Sequence, residues 1–280
     1  MDNSRSVAVE MRVASVRTWI CCLALRQSYL NYQLSMMNGR LGFSKQGGIY
    51  YRGQSNDEWS LQTTLERFFN KRGYDWCDTD RVIEFENKFA CKFKETLIKY
   101  KKTIPDKNVE VCMMMQHYGL PTRMLDLSTD FMTALFFATR EGEGDFAIWE
   151  IYDDGSIGVG SPSDFPVEFI CPSRFLDERI SSQFAAFVRQ NRLGCSFMEA
   201  LSDGIRLKSS CYIKNMGMLR ADSEYSDVIR KDNKLIKWVF PHDARQEVKS
   251  ILAKSAKSAD RVFPDIYGAV EAIISESDIL

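Results

Sequence analysis

The chain has 280 residues, of which 45% are hydrophobic and 27% charged, so it can bury a sizeable core without a disulfide or a metal. Its 37 basic and 38 acidic residues leave a net charge of −1, which excludes a domain-wide basic field for holding nucleic acid but allows a local basic patch. Apolar runs fall short of the ~20 residues of a membrane span, and collagen-like, coiled-coil and broadly disordered classes are excluded.

The first predicted element is a helical extension. Within residues 2–40, the apolar residues Val13, Val16, Ile20 and Leu23 recur at helical spacing. This segment is therefore expected to be mainly helical and to pack its apolar side chains on the rest of the chain or on a partner protein.

After this extension, strands and helices alternate irregularly. Near-3.6 spacing of apolar residues predicts helices, and short β-rich runs bounded by turn residues predict strands. In chain order they are a strand at 49–51, helices at 80–101 and 109–118, a strand at 124–127, a helix at 131–140, a strand at 146–152, a helix at 178–191, a short strand before Phe240, a helix at 243–258 and a last helix that reaches Ile274. The irregular alternation favours the α+β class.

The eight cysteines are scattered, contain no Cys-x-x-Cys pair and lie mostly among apolar residues. Cysteines in such settings behave as small hydrophobic residues, so we predict eight free thiols and a cytoplasmic protein. Only His117 and His242 could supply imidazole ligands, so the spacing of a zinc site is missing and no metal is expected.

Five ordered motifs resemble the FRG domain family, from about residue 46 to about residue 274. They are Tyr51-Arg52-Gly53-Gln54, the run Met115-Gln116-His117-Tyr118-Gly119-Leu120-Pro121-Thr122-Arg123-Met124-Leu125-Asp126-Leu127-Ser128, Ala134-Leu135-Phe136-Phe137-Ala138, Arg179-Ile180-Ser181-Ser182-Gln183 and Phe263-Pro264-Asp265. The resemblance implies a single domain over residues 46–280, preceded by the helical extension over residues 1–45. The family occurs in bacterial and phage-encoded proteins, often in defence or toxin settings. The resemblance therefore indicates the type of domain well and the reaction poorly.

A weaker likeness to ADP-ribosyltransferase toxins suggests a reaction. Those enzymes place an Arg or His on a first strand, then Ser or Thr before a helix that starts with Ala and aromatic residues, and then a Glu or Gln near the ribose of NAD. Here Arg52, Ser128, Thr129 and Gln183 come in that order. The likeness implies a small mixed or antiparallel split sheet surrounded by helices, NAD as substrate, and RNA or protein as acceptor, RNA being favoured.

Three residues are candidates for catalysis in this interpretation. The Asp126 carboxylate would stabilise the oxocarbenium-like charge that builds as nicotinamide leaves, and His117 would transfer a proton or donate to a ribose hydroxyl. Gln183 would hydrogen-bond the ribose 2′-OH, although a Glu usually holds that place.

Seven further residues are expected to bind NAD. The Arg52 guanidinium can donate two hydrogen bonds to phosphate or ribose oxygens. Gly53 would allow close approach of the backbone to the ligand, and Tyr118 would stack on nicotinamide or a base. The seven are Arg52, Gly53, Gln54, Tyr118, Arg123, Ser128 and Thr129.

Structural roles remain open for several of these residues. Arg52 could brace the fold by pairing with Asp126, and Ser128 and Thr129 could cap the helix that follows them. Alternation along a strand would point Arg123 and Asp126 to opposite faces, so a direct pair between them is not assured.

Two other functions stay open as well. The first is a nuclease-like toxin that uses His117, Arg123 and Asp126 with Arg52 on the phosphate, and the second is a non-catalytic sensor of a ligand or phage protein. In the toxin interpretations, the expected partners are the acceptor and an antitoxin or chaperone, with no membrane.

Overall fold

The computed structural model describes residues 8–41, 48–153, 165–170, 185–207 and 234–255, together with Val262. These residues form an α+β protein with seven strands and seven helices. The strands are β1 (Val9–Arg12), β2 (Gly48–Gln54), β3 (Met124–Ser128), β4 (Phe146–Asp153), β5 (Val167–Ile170), β6 (Ala185–Gln190) and β7 (Leu235–Phe240). The helices are α1 (Val16–Leu41), α2 (Thr64–Lys71), α3 (Thr79–Lys99), α4 (Asn108–His117), α5 (Phe131–Arg140), α6 (Phe197–Leu207) and α7 (Ala244–Lys254).

The strands form one mixed sheet in the order β1-β7-β4-β2-β3-β6-β5. All seven residues of β2 pair with β4, and all five residues of β3 pair with β6. Between them, β2 and β3 are paired at a single position, Tyr51 with Ser128, which we call the seam. The seam divides the sheet into a four-stranded half and a three-stranded half, so the sheet is larger than the small one expected from the sequence.

Two hydrophobic clusters cover opposite faces of the sheet. Because successive strand residues face opposite sides, β2 places Tyr51 in one cluster and Tyr50 in the other. The Tyr51 cluster is closed by α1, α5 and α7, whereas α6 packs on the Tyr50 cluster. On the Tyr51 face, α4 covers the three-stranded half through Met113, Met124 and Phe187. The end of α4 and the helix α5 therefore lie on the same face, on either side of the seam.

The segment before β2 is part of this sheet and core. Residues 9–12 form an edge strand parallel to β7, within the segment that was expected to be mainly helical. Its residues alternate between half-buried and exposed, which is the pattern of a strand at the edge of a sheet. In α1, Trp19 packs edge-on against Phe131 and Trp238, and Arg26 forms a buried ion pair with Glu150.

Most of the other predicted elements are present, with ends that differ by a few residues. The prediction of a helix over 178–191 is wrong for its second half, because β6 occupies Ala185–Gln190. This strand is central, between β3 and β5, so its residues are buried from both faces and show no strand-like alternation of polar and apolar residues. Residues 178–184 and the expected helix reaching Ile274 lie outside the described residues.

Two further observations concern the thiols and the helices. Six of the eight cysteines lie in the described part of the chain and are free: Cys21, Cys22, Cys77, Cys91, Cys112 and Cys195. Cys171 and Cys211 fall outside it. Among the described helices, none has the length and apolarity needed to span a membrane.

Candidate functional site

A cavity of about 510 Å³ opens at the seam. Its wall combines residues 51–55 of β2 and the loop after it with residues 126–128 of β3. The helices add Arg67 from α2, Gln116 and His117 from α4, and Ala134, Phe137 and Arg140 from α5. Because β2 and β3 pair only at Tyr51 and Ser128, side chains instead of a continuous backbone ladder line the space beyond the seam.

Asp126 is the exposed residue of an otherwise buried strand. The other four residues of β3 are buried, whereas the Asp126 side chain is 52% exposed and faces the cavity. A carboxylate without a full set of partners stays in contact with water, and here the cavity supplies that water. The Asp126 carboxylate is thus available to a bound molecule.

Arg52 spans the gap between β2 and β3. Its Nη1 donates to the backbone carbonyl of Asp126 at 2.7 Å and lies 4.0 Å from the carboxylate oxygen Oδ2 of the same residue. Burial lowers the pKa of the Arg52 guanidinium, an effect that the Asp126 carboxylate opposes and the nearby Arg67 reinforces. The Arg52 side chain is 19% exposed, and its Nε is buried without a hydrogen-bond partner. Arg52 therefore has both a bracing contact and unused hydrogen-bonding capacity.

Gln116 completes the inner wall of the cavity. Its Nε2 donates to Asp126 Oδ2 at 2.9 Å, and its Oε1 accepts from the hydroxyls of Thr64 and Thr122 at 2.8 and 2.6 Å. Gln116 belongs to the central motif of the sequence but had no predicted role in the site. Its place directly before His117 at the end of a helix was the available signal.

The outer rim of the cavity is basic and aromatic. Trp59 is 54% exposed, and Arg67 and Arg140 are also exposed there. None of these three residues was predicted to belong to the site. For Arg140 a signal existed, since helical spacing places it on the same face as Phe137 and Ala134, at steps of three residues.

Arg123 lies outside the wall of this cavity, contrary to its predicted role in binding NAD. Its Nε and Nη2 donate to Glu86 Oε2 at 2.9 and 2.5 Å, and its Nη1 donates to the Gln190 carbonyl at 3.3 Å. The guanidinium thus joins β3 to α3 and β6. The sequence analysis left a direct pair between Arg123 and Asp126 not assured, and in the structure Arg123 pairs with Glu86.

Two other expected ligand residues have structural contacts. Tyr118 lies outside the wall of the cavity, where its ring packs against Phe93 with centroids 5.9 Å apart. Gln54 reaches the wall, but its Nε2 donates to the Ser60 carbonyl at 3.2 Å and its Oε1 accepts from Trp149 Nε1 at 2.8 Å. The amide of Gln54 therefore holds the β2 end to the sheet and the following loop.

Gly53 is required by the packing of α5. A Cβ atom at this position would lie 1.9 Å from the carbonyl oxygen of Ala134 and 2.8 Å from the amide nitrogen of Ala138. The close approach that the glycine allows is therefore an approach to a helix. Gly53 also lines the cavity, so a ligand contact remains a prediction.

The remaining expected residues divide between the cavity and the start of α5. Ser128 is at the seam and lines the cavity, and its hydroxyl accepts from the amide of Asp130. The N-cap of α5 is Asp130, whose carboxylate accepts from the amide of Thr133 at 2.9 Å. Thr129 lies outside the wall of the cavity and accepts from Gln27 through its carbonyl. Gln183 lies outside the described residues.

The comparisons with known proteins confirm the family resemblance. Residues 47–145 match the sequence model of the FRG domain, a range that includes β2, the seam, α4 and α5. The match is shorter than the expected range of about 46 to 274. No curated protein and no solved structure matches the chain.

Proposed function

We propose that this protein is an NAD-consuming mono-ADP-ribosyltransferase and that the cavity at the seam binds NAD. In the proposed reaction the bond between the ribose C1′ and the nicotinamide nitrogen breaks, and nicotinamide leaves as a neutral molecule with the bonding electron pair. A nucleophilic oxygen or nitrogen of the acceptor forms the new bond to C1′ and loses its proton to His117, which releases it to solvent. The observation that carries the proposal is the joint placement of Arg52 and Asp126 at the seam, inside one cavity.

The charge and aromatic content of the cavity support a dinucleotide ligand. Arg52, Arg67 and Arg140 line the same wall, and guanidinium groups bind phosphate oxygens with paired hydrogen bonds. Trp59 and Phe137 supply aromatic faces on which a base or the nicotinamide ring can stack. A pyrophosphate flanked by two ring systems is the ligand chemistry that this combination fits.

Asp126 is the proposed electrostatic catalyst. As nicotinamide leaves, positive charge builds on the ribose, and a fixed carboxylate next to C1′ stabilises that charge. The exposure of this carboxylate to the cavity supports the role. His117 also lines the cavity and is the proposed proton acceptor for the incoming nucleophile.

The split of the sheet is a second line of support. The weaker likeness to ADP-ribosyltransferases implied a split sheet with an Arg on one strand and a Ser at the end of another. Here Arg52 and Ser128 lie on the two sides of the seam, beside the cavity. The position of Arg123 on Glu86, by contrast, removes one of the groups on which the nuclease interpretation depended.

The proposed setting is a toxin of a prokaryotic anti-phage or toxin–antitoxin system that acts on RNA or on protein in the cytoplasm. The FRG domain supports this setting through the contexts in which its family occurs. Induced expression should then arrest bacterial growth in a way that depends on Asp126, and an antitoxin partner would cover the open side of the cavity.

The test is to incubate the purified chain with NAD labelled in the adenylate moiety and with separate pools of cell RNA, DNA and protein. We expect label in one pool and release of nicotinamide, and a loss of about a hundredfold or more in the Asp126→Asn variant. Arg17→Ala is the matched control, because the Arg17 side chain is 80% exposed and lies outside the cavity wall.

Three outcomes separate the functions. Label transfer that survives in Asp126→Asn contradicts the proposed site. Binding of NAD without nicotinamide release indicates a sensor. Cleavage of RNA without any use of NAD indicates the nuclease-like alternative.

A further inference from the structure

We infer that Gln116 is a positioning residue that fixes the Asp126 carboxylate in the cavity. This inference rests on the proposed function, since it concerns how the proposed catalytic carboxylate is held. The contact is the 2.9 Å hydrogen bond from Gln116 Nε2 to Asp126 Oδ2, on a side chain that is otherwise half exposed. Asp126 and Gln116 come from different elements, β3 and α4, so this bond also joins two walls of the cavity.

The orientation of the Gln116 amide follows from its two threonine neighbours. Thr122 Oγ1 accepts from the amide of Met124 at 3.2 Å, so its hydroxyl hydrogen is free to donate to Gln116 Oε1 at 2.6 Å. Thr64 Oγ1 accepts from the amide of Thr122 at 2.9 Å, and its one hydrogen is shared between Gln116 Oε1 at 2.8 Å and the Thr122 carbonyl at 3.1 Å. The Thr122 hydroxyl aimed at Oε1 and the acceptor-only carboxylate of Asp126 together favour the orientation in which the amide presents its NH₂ group to Asp126.

The network is anchored in rigid parts of the fold. Thr122 is 1% exposed, and Thr64 is the first residue of α2, directly after the capping residue Thr63. The backbone carbonyl of Thr122 also accepts from the amide of Leu65 at 2.9 Å, which fixes the Pro121–Thr122 turn against α2. Hydroxyls that are themselves held by several hydrogen bonds to the surrounding fold keep a functional side chain within a narrow range of positions.

A carboxylate held in this way has one oxygen committed and one facing the cavity. Oδ2 accepts from Gln116 and lies 4.0 Å from Arg52 Nη1. Among the described residues, Oδ1 has no hydrogen bond. The amide donor therefore selects one rotamer of Asp126 and leaves the second oxygen for the ribose. Loss of the donor should reduce the chemical step and leave binding of NAD nearly intact.

Two substitutions of Gln116 test this role. Gln116→Met keeps the length of the side chain and removes the donor, so kcat should fall about tenfold to a hundredfold while KM changes by less than about threefold. Gln116→Glu keeps the bonds from the threonine hydroxyls but turns a carboxylate toward Asp126. Its activity should be low near pH 8 and recover toward about pH 5, because the introduced carboxyl group, once protonated, can donate to Asp126 again.

The matched control is Gln62→Glu, the same chemical change at a residue outside the cavity wall. Its pH profile should coincide with that of the unchanged protein. An unaltered kcat in Gln116→Met, or a Gln116→Glu profile that follows the control, overturns the inference. Thermal melting of each variant identifies any loss of activity that arises from unfolding.

A structural readout separates this inference from the proposed function. If the unchanged protein does not consume NAD, the proposed function fails, and crystal structures of the unchanged protein and of Gln116→Met then decide the inference. Displacement of the Asp126 carboxylate in Gln116→Met supports a positioning role. A carboxylate that keeps the same rotamer and position without its donor overturns it.

Discussion

Two arginine–carboxylate pairs, one between α1 and β4 and one between β2 and β3, differ in almost every physical respect. Arg26 and Glu150 are 2% and 1% exposed and lie 2.6 Å apart, and the second Glu150 oxygen accepts from Trp238 Nε1 at 2.9 Å. Arg52 and Asp126 are 19% and 52% exposed, and their charged groups are 4.0 Å apart. The first pair joins α1 to the core of the sheet, and the second lies at the seam.

The difference teaches how to distinguish a structural pair from a site. Both oxygens of Glu150 are committed to protein donors, so a ligand has nothing to bind there. Burial together with this carboxylate raises the pKa of Tyr51 well above its ordinary value, which keeps that neighbouring phenol neutral. At the seam, the Asp126 carboxylate is half exposed to the cavity, and the Arg52 guanidinium, which also lines the cavity, has an Nε without a hydrogen-bond partner. Unused capacity next to solvent marks the candidate site more clearly than the presence of opposite charges.

The largest expected effect is on the buried pair. Glu150→Ala leaves the Arg26 guanidinium buried and unpaired, so the free energy of unfolding should fall by about 3–5 kcal/mol. Urea unfolding measures this change, and Glu143→Ala, at an exposed position, is the control. A loss below about 1 kcal/mol would show that the buried pair is not structural and would break the comparison.

Breaking a third ion pair, between Arg123 and Glu86, should cause an intermediate loss in the free energy of unfolding. Arg123 and Glu86 are 11% and 12% exposed, so Arg123→Ala should lower the free energy of unfolding by about 2 kcal/mol. Because Arg123 lies outside the cavity wall, NAD turnover by the folded variant should be unchanged. A selective loss of turnover without loss of stability would return Arg123 to the site.

Replacement of Arg52 should weaken NAD binding strongly and stability only slightly, which is the opposite of the expectation for Arg123. Arg52→Ala removes one bond to a backbone carbonyl and a charge that burial already disfavours, so the stability loss should be only about 1 kcal/mol. NAD binding should weaken about tenfold to a hundredfold. Arg52→Lys should also be impaired, because lysine keeps the charge but cannot donate the paired hydrogen bonds of a guanidinium. Calorimetric titration and thermal melting measure the two effects. A large loss of stability would place Arg52 with the buried pair.

The smallest effect concerns Glu66, a buried carboxylate without an arginine ion pair among the described residues. Burial raises the pKa of the Glu66 carboxyl above its ordinary value, although the amide of Phe197 donates to it at 3.3 Å. A raised pKa in the folded state means that the stabilising contribution is present below the unfolded-state pKa and is lost as pH rises through the folded-state pKa. Relative to Glu66→Gln, the unchanged protein should therefore be more stable in mild acid than at neutral pH. Parallel urea titrations at the two pH values measure this difference, and curves that keep the same separation would contradict it.

Local patterns in the sequence predicted the parts of the fold that local physics controls. The α5 helix was predicted at residues 131–140, where the structure has it, because residues that can cap a helix precede an apolar run; the cap is Asp130 and not Ser128 or Thr129. The strand that leads into Arg52 and the opposite faces of Arg123 and Asp126 likewise follow from short-range alternation.

The errors arose where the decisive partner is distant in sequence. Arg123 pairs with Glu86, 37 residues earlier, and the Gln54 amide bonds to Trp149, 95 residues later. Nothing near either residue reveals these partners. Trp59 had no predicted role in the site, because its place on the rim depends on how the loop after β2 folds over the cavity.

The seam also decides where this sheet opens first. A sheet normally frays at its edge strands, and its central strands are the last to exchange their amide hydrogens. Here β4 is fully buried and paired on both sides, but β2 and β3, which are equally central, share one residue pair. Amides that border the seam should exchange faster than those of β4. Thermal fluctuations can therefore open the middle of the sheet, beside Asp126, at a low cost in free energy, while the flanking strands stay folded.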